Sequence, residues 1–224
     1  MIDFVIIVAG GIGKRMGGDV PKQFLLLNGT PLLMKTIEVF HQFDPKIKLI
    51  VTLPKVHIDY WHMLCTQHHF ALPHHVVEGG DTRFHSVKNG LSAVTGEGVV
   101  AVHDGVRPLV SRETLERCFD CARKLGNAVP VVGMKESLRM KQQNDSVPVD
   151  RDMYYVVQTP QVFKTEQLLK AYGQSYHPAF TDDASVVERS GVRIQLVEGN
   201  SENIKITTKV DMMMAESLLK NTLL

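Results

Sequence analysis

Short apolar runs alternate with longer amphipathic stretches along the 224 residues. Phe4–Val8 is continuously apolar, and after a glycine-rich loop residues 32–40 carry a helical pattern. Lys48–Leu53 predicts a second strand, 57–68 a helix, 76–77 a short strand and 82–94 a further helix. Residues 99–103 form an unbroken apolar strand, the kind that suits a sheet covered on both faces. Ser111 is placed to cap a helix that runs to Leu125, and Gly126 stands where such helices end. The next strand is 128–132. Repeated strand–helix units of this spacing predict an α/β fold with a doubly wound, mostly parallel sheet, whose ligands bind at the carboxyl ends of the strands.

One segment breaks the pattern. From 134 to 157 the chain is polar through Lys135, Arg139, Lys141, Gln142, Gln143, Asn144 and Asp145, then alternates through Val147 and Val149. Asn144-Asp145-Ser146 supplies turn chemistry, so the segment is expected to be a protruding hairpin. It is too polar for a core of its own, and either covers a site or reaches a second subunit. Helices are expected at 166–176 and 182–189, a strand at 192–197 and a last helix from Val210, with Met212 to Met214 filling a core. Residues 1–224 read as a single domain with an arm at about 134–157.

Composition narrows the class. Apolar residues make up 44% and charged residues 22%, enough for a sizeable core and against dominant disorder. Lys and Arg total 25 against 24 Asp and Glu, a net charge of +1, which gives no basic footprint for nucleic acid. No apolar run approaches the roughly 18 residues of a bilayer span, so no membrane partner is expected. Asp3 and the short run after it are unlike a secretory leader. An odd count of 3 cysteines argues against a disulfide framework, and a cytoplasmic location follows. Cys118 and Cys121 have redox spacing but fall inside the helix ending at Leu125, and His103 is expected to pack beside Asp104.

The chemistry concentrates in the loop after the first strand, Ala9-Gly-Gly-Ile-Gly-Lys-Arg-Met-Gly-Gly18. Its glycines let backbone N–H groups approach a phosphate, and Lys14 and Arg15 add charge. The Walker pattern fails because Arg15 follows Gly13-Lys14, and the dinucleotide pattern fails because Met16 replaces its third glycine. Pro21-Lys22-Gln23 follows, with a lysine near the same loop. Further on, Gly80-Asp81-Thr82-Arg83 and Ser86 enter a helix that Asp81 or Thr82 would cap, leaving Arg83 and Ser86 to face a ligand. Asp104-Gly105-Val106-Arg107-Pro108 ends an apolar strand, Arg151 sits at the hairpin base, and Thr159, Thr181-Asp182-Asp183 and Asn203-Ile204-Lys205 come later.

The glycine loop with Arg15 and Lys22 resembles sugar-nucleotide pyrophosphorylases, and all the motifs in order resemble the 2-C-methyl-D-erythritol 4-phosphate cytidylyltransferase family of non-mevalonate isoprenoid synthesis. That resemblance implies a Rossmann-like nucleotidyltransferase domain, Mg²⁺ or another divalent cation as cofactor, and CTP and a polyol phosphate as ligands. It also implies a homodimer with interlocking arms and sites shared between subunits. It places Ala9, Gly10 and Gly11, with Arg15 and Lys22, on the CTP phosphates, and Asp81 and Ser86 on the cytidine. Gly10 stands where relatives often have alanine. It further places Asp104, Arg107, Ser137 and Thr159 on the acceptor, Arg151 and Thr159 from the neighbouring subunit, Lys205 on substrate phosphates and Asp104 at the metal. Arg15, Lys22, Arg151 and Lys205 form the catalytic set. Attack of one anion on another needs positioning and charge neutralisation more than a general base, and no obvious base is present. The competing expectations are a ribitol 5-phosphate cytidylyltransferase and a non-catalytic nucleotide-binding protein.

Overall fold

The structure is a computed structural model that describes residues 2–11 and 20–221. The first half of the chain is β1 (Phe4–Val8), β2 (Leu26–Leu27), β3 (Thr30–Pro31), α1 (Leu32–Phe43), β4 (Lys48–Leu53), α2 (Ile58–Gln67), β5 (His75–Glu78), α3 (Arg83–Leu91) and β6 (Val99–Asp104). There follow α4 (Arg112–Leu125), β7 (Asn127–Gly133), β8 (Leu138–Lys141), β9 (Ser146–Val149), β10 (Tyr155–Val157) and β11 (Gln161–Lys164). The chain closes with α5 (Thr165–Tyr172), α6 (Asp183–Glu188), β12 (Leu196–Glu198) and α7 (Lys209–Asn221).

Among the described residues, eight strands form one sheet in which β6-β1-β4-β5 are parallel neighbours. One face is covered through Ile37, Phe40, Trp61 and Phe119 of α1, α2 and α4, and the other through Val87, Leu168 and Val187 of α3, α5 and α6. All of these side chains are fully buried, so α/β double winding follows from strands that are apolar on both faces. A buried side chain of this size stabilises the fold by roughly 1.5–3 kcal/mol. Ser111 caps α4 by accepting from the Thr114 N–H, and Gly126 closes it at φ 101°, in the left-handed region that favours glycine.

Several expectations need correction. The segment at 134–157 does not form one long hairpin: the β8–β9 ladder pairs Leu138 with Val149 and Lys141 with Ser146, while β10 leaves it to pair antiparallel with β7. β11 was not anticipated and runs antiparallel between β6 and β7. The strand expected at 192–197 forms at Leu196–Glu198, parallel to β7. The helix expected at 82–94 stops at Leu91, where Ala93 and Val94 N–H groups bond three residues back to Gly90 and Leu91 carbonyls instead of four. The one expected at 166–176 stops at Tyr172, before Gly173. Met213 and Met214 are exposed rather than core, and only Met212 packs against a small cluster of Leu27, Leu32, Val106, Ile206 and Ala215.

Candidate active site

The carboxyl ends of β1, β5 and β6 open onto a cavity of about 260 Å³. Ala9, Gly10, Gly11, Lys22, Asp81, Ser86, Asp104 and Lys205 line it together with Gln23 and Arg83. The first loop is held from below: the Gln23 Nε2 donates to the Ala9 carbonyl at 2.8 Å, and Gln23 is buried. A Cβ on Gly11 would come within 2.8 Å of the Lys22 Cε, so a side chain there would push the end of the lysine aside. Arg15 and the rest of the glycine run from Ile12 to Asp19 lie outside the described residues.

At the second loop Thr82, not Asp81, caps α3, accepting from the His85 N–H. Ser86 is not free: it accepts from the Gly80 N–H at 3.1 Å and donates to the Thr82 carbonyl at 3.0 Å, which shapes the loop while its edge remains in the cavity wall. Arg83 is likewise committed, to both oxygens of the buried Asp183 at 2.9 and 2.7 Å.

Asp104 is the charge centre. Its Oδ2 receives the Arg107 Nε at 2.9 Å and the Lys205 Nζ at 3.1 Å, and Arg83 Nε stands 3.9 Å from Oδ1. Burial pushes this carboxyl up, but Lys205, Arg83 and Arg107 together outweigh that and hold it well below the usual carboxylate range. The backbone beneath is fixed by a directional chain. The Asp104 N–H donates to Thr159 Oγ1 at 3.1 Å, and Thr159 meets the His103 Nδ1 at 3.1 Å. His103 Nε2 lies 2.9 Å from the Arg107 carbonyl. A carbonyl only accepts, so Nε2 carries a proton, and with the ring neutral Nδ1 accepts from the Thr159 hydroxyl. Burial agrees, pushing the His103 imidazole down to about 4.

Lys205 reaches the site because Arg107 Nη1 donates to the Asn203 carbonyl at 2.8 Å and Asn203 Nδ2 to the Thr159 carbonyl at 2.8 Å. Arg107 and Thr159 thus brace the cavity floor from behind and are not in its lining. Ser137 and Arg151 are exposed and outside the lining too, with Arg151 Nη1 donating to the Lys135 carbonyl at 2.8 Å. The sequence reading did not assign Gln23, Asn203 or Asp183, and left Arg83 out of the assigned set. Asp183 lay within a motif already noticed, but its partner is 100 residues away.

No cluster of three or more His, Cys, Asp or Glu side chains suited to a metal occurs among the described residues. Asp104 lines the cavity, and its Oδ1 accepts no hydrogen bond among the described residues, the Arg83 Nε standing 3.9 Å away. A single carboxylate oxygen completed by phosphate oxygens fits the hard-oxygen coordination of Mg²⁺.

Among the described residues no helix is long and apolar enough to cross a membrane. Residues 4–221 match the family described as 2-C-methyl-D-erythritol 4-phosphate cytidylyltransferase. A protein of that name from Bacteroides thetaiotaomicron is 53% identical over 215 residues, spanning 96% of this chain and 98% of that one. The solved 4-diphosphocytidyl-2C-methyl-D-erythritol synthase of Anaerococcus prevotii is similar at a TM-score of 0.81 and 25% identity, over 98% of each chain. The bifunctional IspDF of Campylobacter jejuni gives the same TM-score of 0.81 at 30% identity, with 96% of this chain covered and 54% of that chain.

Proposed function

The chain belongs to the 2-C-methyl-D-erythritol 4-phosphate cytidylyltransferase family, a nucleotidyltransferase that moves CMP from CTP to that acceptor, and on that premise we propose how its residues divide the work. A phosphate oxygen of the acceptor attacks the α-phosphorus of CTP in line. The bond from that phosphorus to the oxygen bridging the β-phosphate breaks, and pyrophosphate carries the electron pair away. The observation that carries this reading is the convergence of Lys22 and Lys205 on one cavity beside an ionised Asp104.

Ala9, Gly10 and Gly11 present backbone to the triphosphate, and Lys22 with Arg15 neutralises it. Asp81 and the Gly80–Ser86 loop receive the cytidine. Lys205 faces the phosphates where the two anions meet, the step at which a fixed charge matters most. Arg107 and Thr159 hold Asp104 and Lys205 in place. Asp104 would hold Mg²⁺ or another divalent cation, which would supply charge neutralisation for the CTP phosphates.

A homodimer completes this site. Support comes from Ser137 and Arg151, which stay outside the cavity of their own chain, and from exposed Met153, Tyr154, Tyr155, Val156 and Val157 alongside them. The last three alternate between the two faces of β10, which stands at the end of the sheet order beside β7, and an exposed apolar edge strand of this kind suits a second copy. The arm at about 134–157 would then deliver Ser137 and Arg151 to the partner's acceptor phosphate.

The test is a pyrophosphate-release assay with CTP, Mg²⁺ and each of two acceptors. Methylerythritol phosphate is expected to react far faster than ribitol 5-phosphate. Equal or faster reaction with ribitol 5-phosphate overturns the acceptor assignment.

A further inference from the structure

An arginine and a buried carboxylate standing 3.9 Å apart in the cavity floor are oddly placed, because such groups ordinarily close to hydrogen-bond contact, often through two parallel bonds. Arg83 does not close on Asp104 because its two terminal nitrogens are already spent on Asp183, at 2.9 and 2.7 Å. Asp183 is itself over-determined. It is fully buried at the start of α6, and the Tyr172 hydroxyl donates to its Oδ1 at 2.6 Å. α6 is in turn pinned to β11, since Gln161 Oε1 accepts from the Ala184 N–H and Gln161 Nε2 donates to Asp182 Oδ2, both at 2.8 Å. Tyr172 lies at the end of α5 and stacks on Phe84 with 4.8 Å between ring centroids. Everything around the Asp183 carboxylate fixes the plane of the Arg83 guanidinium.

We propose that Asp183 is a positioning residue that restrains Arg83, keeping the guanidinium charge beside Asp104 while preventing it from occupying Asp104 Oδ1. Arg83 then acts as a fixed field and not as a partner. Asp104 keeps three cationic groups around it, and one of its oxygens stays available to the reaction. Loss of the Asp183 charge releases the fork, and Arg83 closes on the nearest remaining carboxylate. This rests on the reading that Asp104 belongs to the cytidylyl-transfer site. The two fail separately, since wild-type inactivity with methylerythritol phosphate would sink that reading alone.

The experiment compares Asp183→Asn, Arg83→Gln and the double variant. Asp183→Asn is expected to lower kcat by about 10²-fold with KM for CTP changed by less than about three-fold. Its crystal structure is expected to show an Arg83 nitrogen within ordinary hydrogen-bond distance of Asp104 Oδ1. Adding Arg83→Gln removes the intruding group, so the double variant is expected to recover about ten-fold of the lost kcat. A merely structural role predicts a double variant no better than Asp183→Asn, and that result, or an unmoved Arg83 in the crystal, overturns the proposal. Should Asp183→Asn fail to fold, Tyr172→Phe keeps both charges and loosens the same carboxylate. A several-fold fall in kcat that Arg83→Gln reverses supports the proposal, and a fall that it deepens overturns it.

Discussion

Lys205 and Arg151 are both expected to meet phosphate, yet the fold holds them by different means. Lys205 stands 3.1 Å from a buried Asp104, on a segment tied down by Arg107, by Asn203 and by the Ile206 N–H donating to the Val106 carbonyl. Arg151 is exposed, its side chain bonded to the Lys135 carbonyl and 3.9 Å from the exposed Asp152. Exposed pairs of that kind contribute about 0–1 kcal/mol, and the Lys205 side chain is itself 42% exposed, so what sets it apart is the buried carboxylate it meets and the backbone ties beneath it rather than its own burial. The cavity floor is therefore held by contacts that cross the whole chain, whereas β8 and β9 bond chiefly to each other and only β10 of the 138–157 segment joins the central sheet.

The largest effects are expected in the floor. Asp104→Asn and Lys22→Ala should each lower kcat by about 10²–10³-fold, equivalent to about 2.7–4 kcal/mol of transition-state stabilisation. Single-turnover kinetics checks this, and a raised KM with unchanged kcat would show that the residue only binds substrate. Stability should reveal the same floor through its buried histidine. Folded His103 stays neutral down to about pH 4, while its ordinary value is 6.5. Between those values the unfolded chain binds a proton that the folded chain refuses, so stability falls as pH is lowered. The loss is about 3 kcal/mol at most, with no contribution above pH 6.5. Denaturant titration of wild type against His103→Gln checks it, since the variant should lack that slope.

The arm should behave in the opposite way. Arg151→Ala is expected to lower kcat/KM about ten-fold or more while leaving the melting temperature unchanged, because a long exposed side chain supports little of its own fold. A lowered melting temperature with intact kinetics would place it among structural groups. Ser137→Ala is expected to cost least, about 1 kcal/mol or some five-fold in KM for the acceptor, the worth of one hydrogen bond.

Local signals made the fold legible where they sufficed. The strand expected at Lys48–Leu53 and the helix from Ser111 to Gly126 form at those residues, because apolar runs and caps act over a few positions. β11 escaped because Gln161–Lys164 has only two apolar residues and becomes a strand by lying between β6 and β7. β12 forms later than expected because Val192 and Ile194 pack on the core outside the ladder, leaving Leu196–Glu198 to pair. Of the site, the glycines, Lys22, Asp81, Ser86, Asp104 and Lys205 were legible and meet in one cavity. The bracing roles of Arg107 and Thr159, and the restraint of Arg83 by Asp183, depend on contacts dozens of residues apart, which no spacing encodes.

The central claim is that the floor and the arm make one site only across two chains. Subunit exchange between Lys22→Ala and Arg151→Ala proteins tests it most directly. In a heterodimer one site would carry both lesions and the other neither, so activity should rise from the level of the parents toward half the wild-type rate per heterodimer. Activity that stays at the parental level, with mass spectrometry confirming that exchange took place, would mean that Arg151 serves its own chain and would contradict the account.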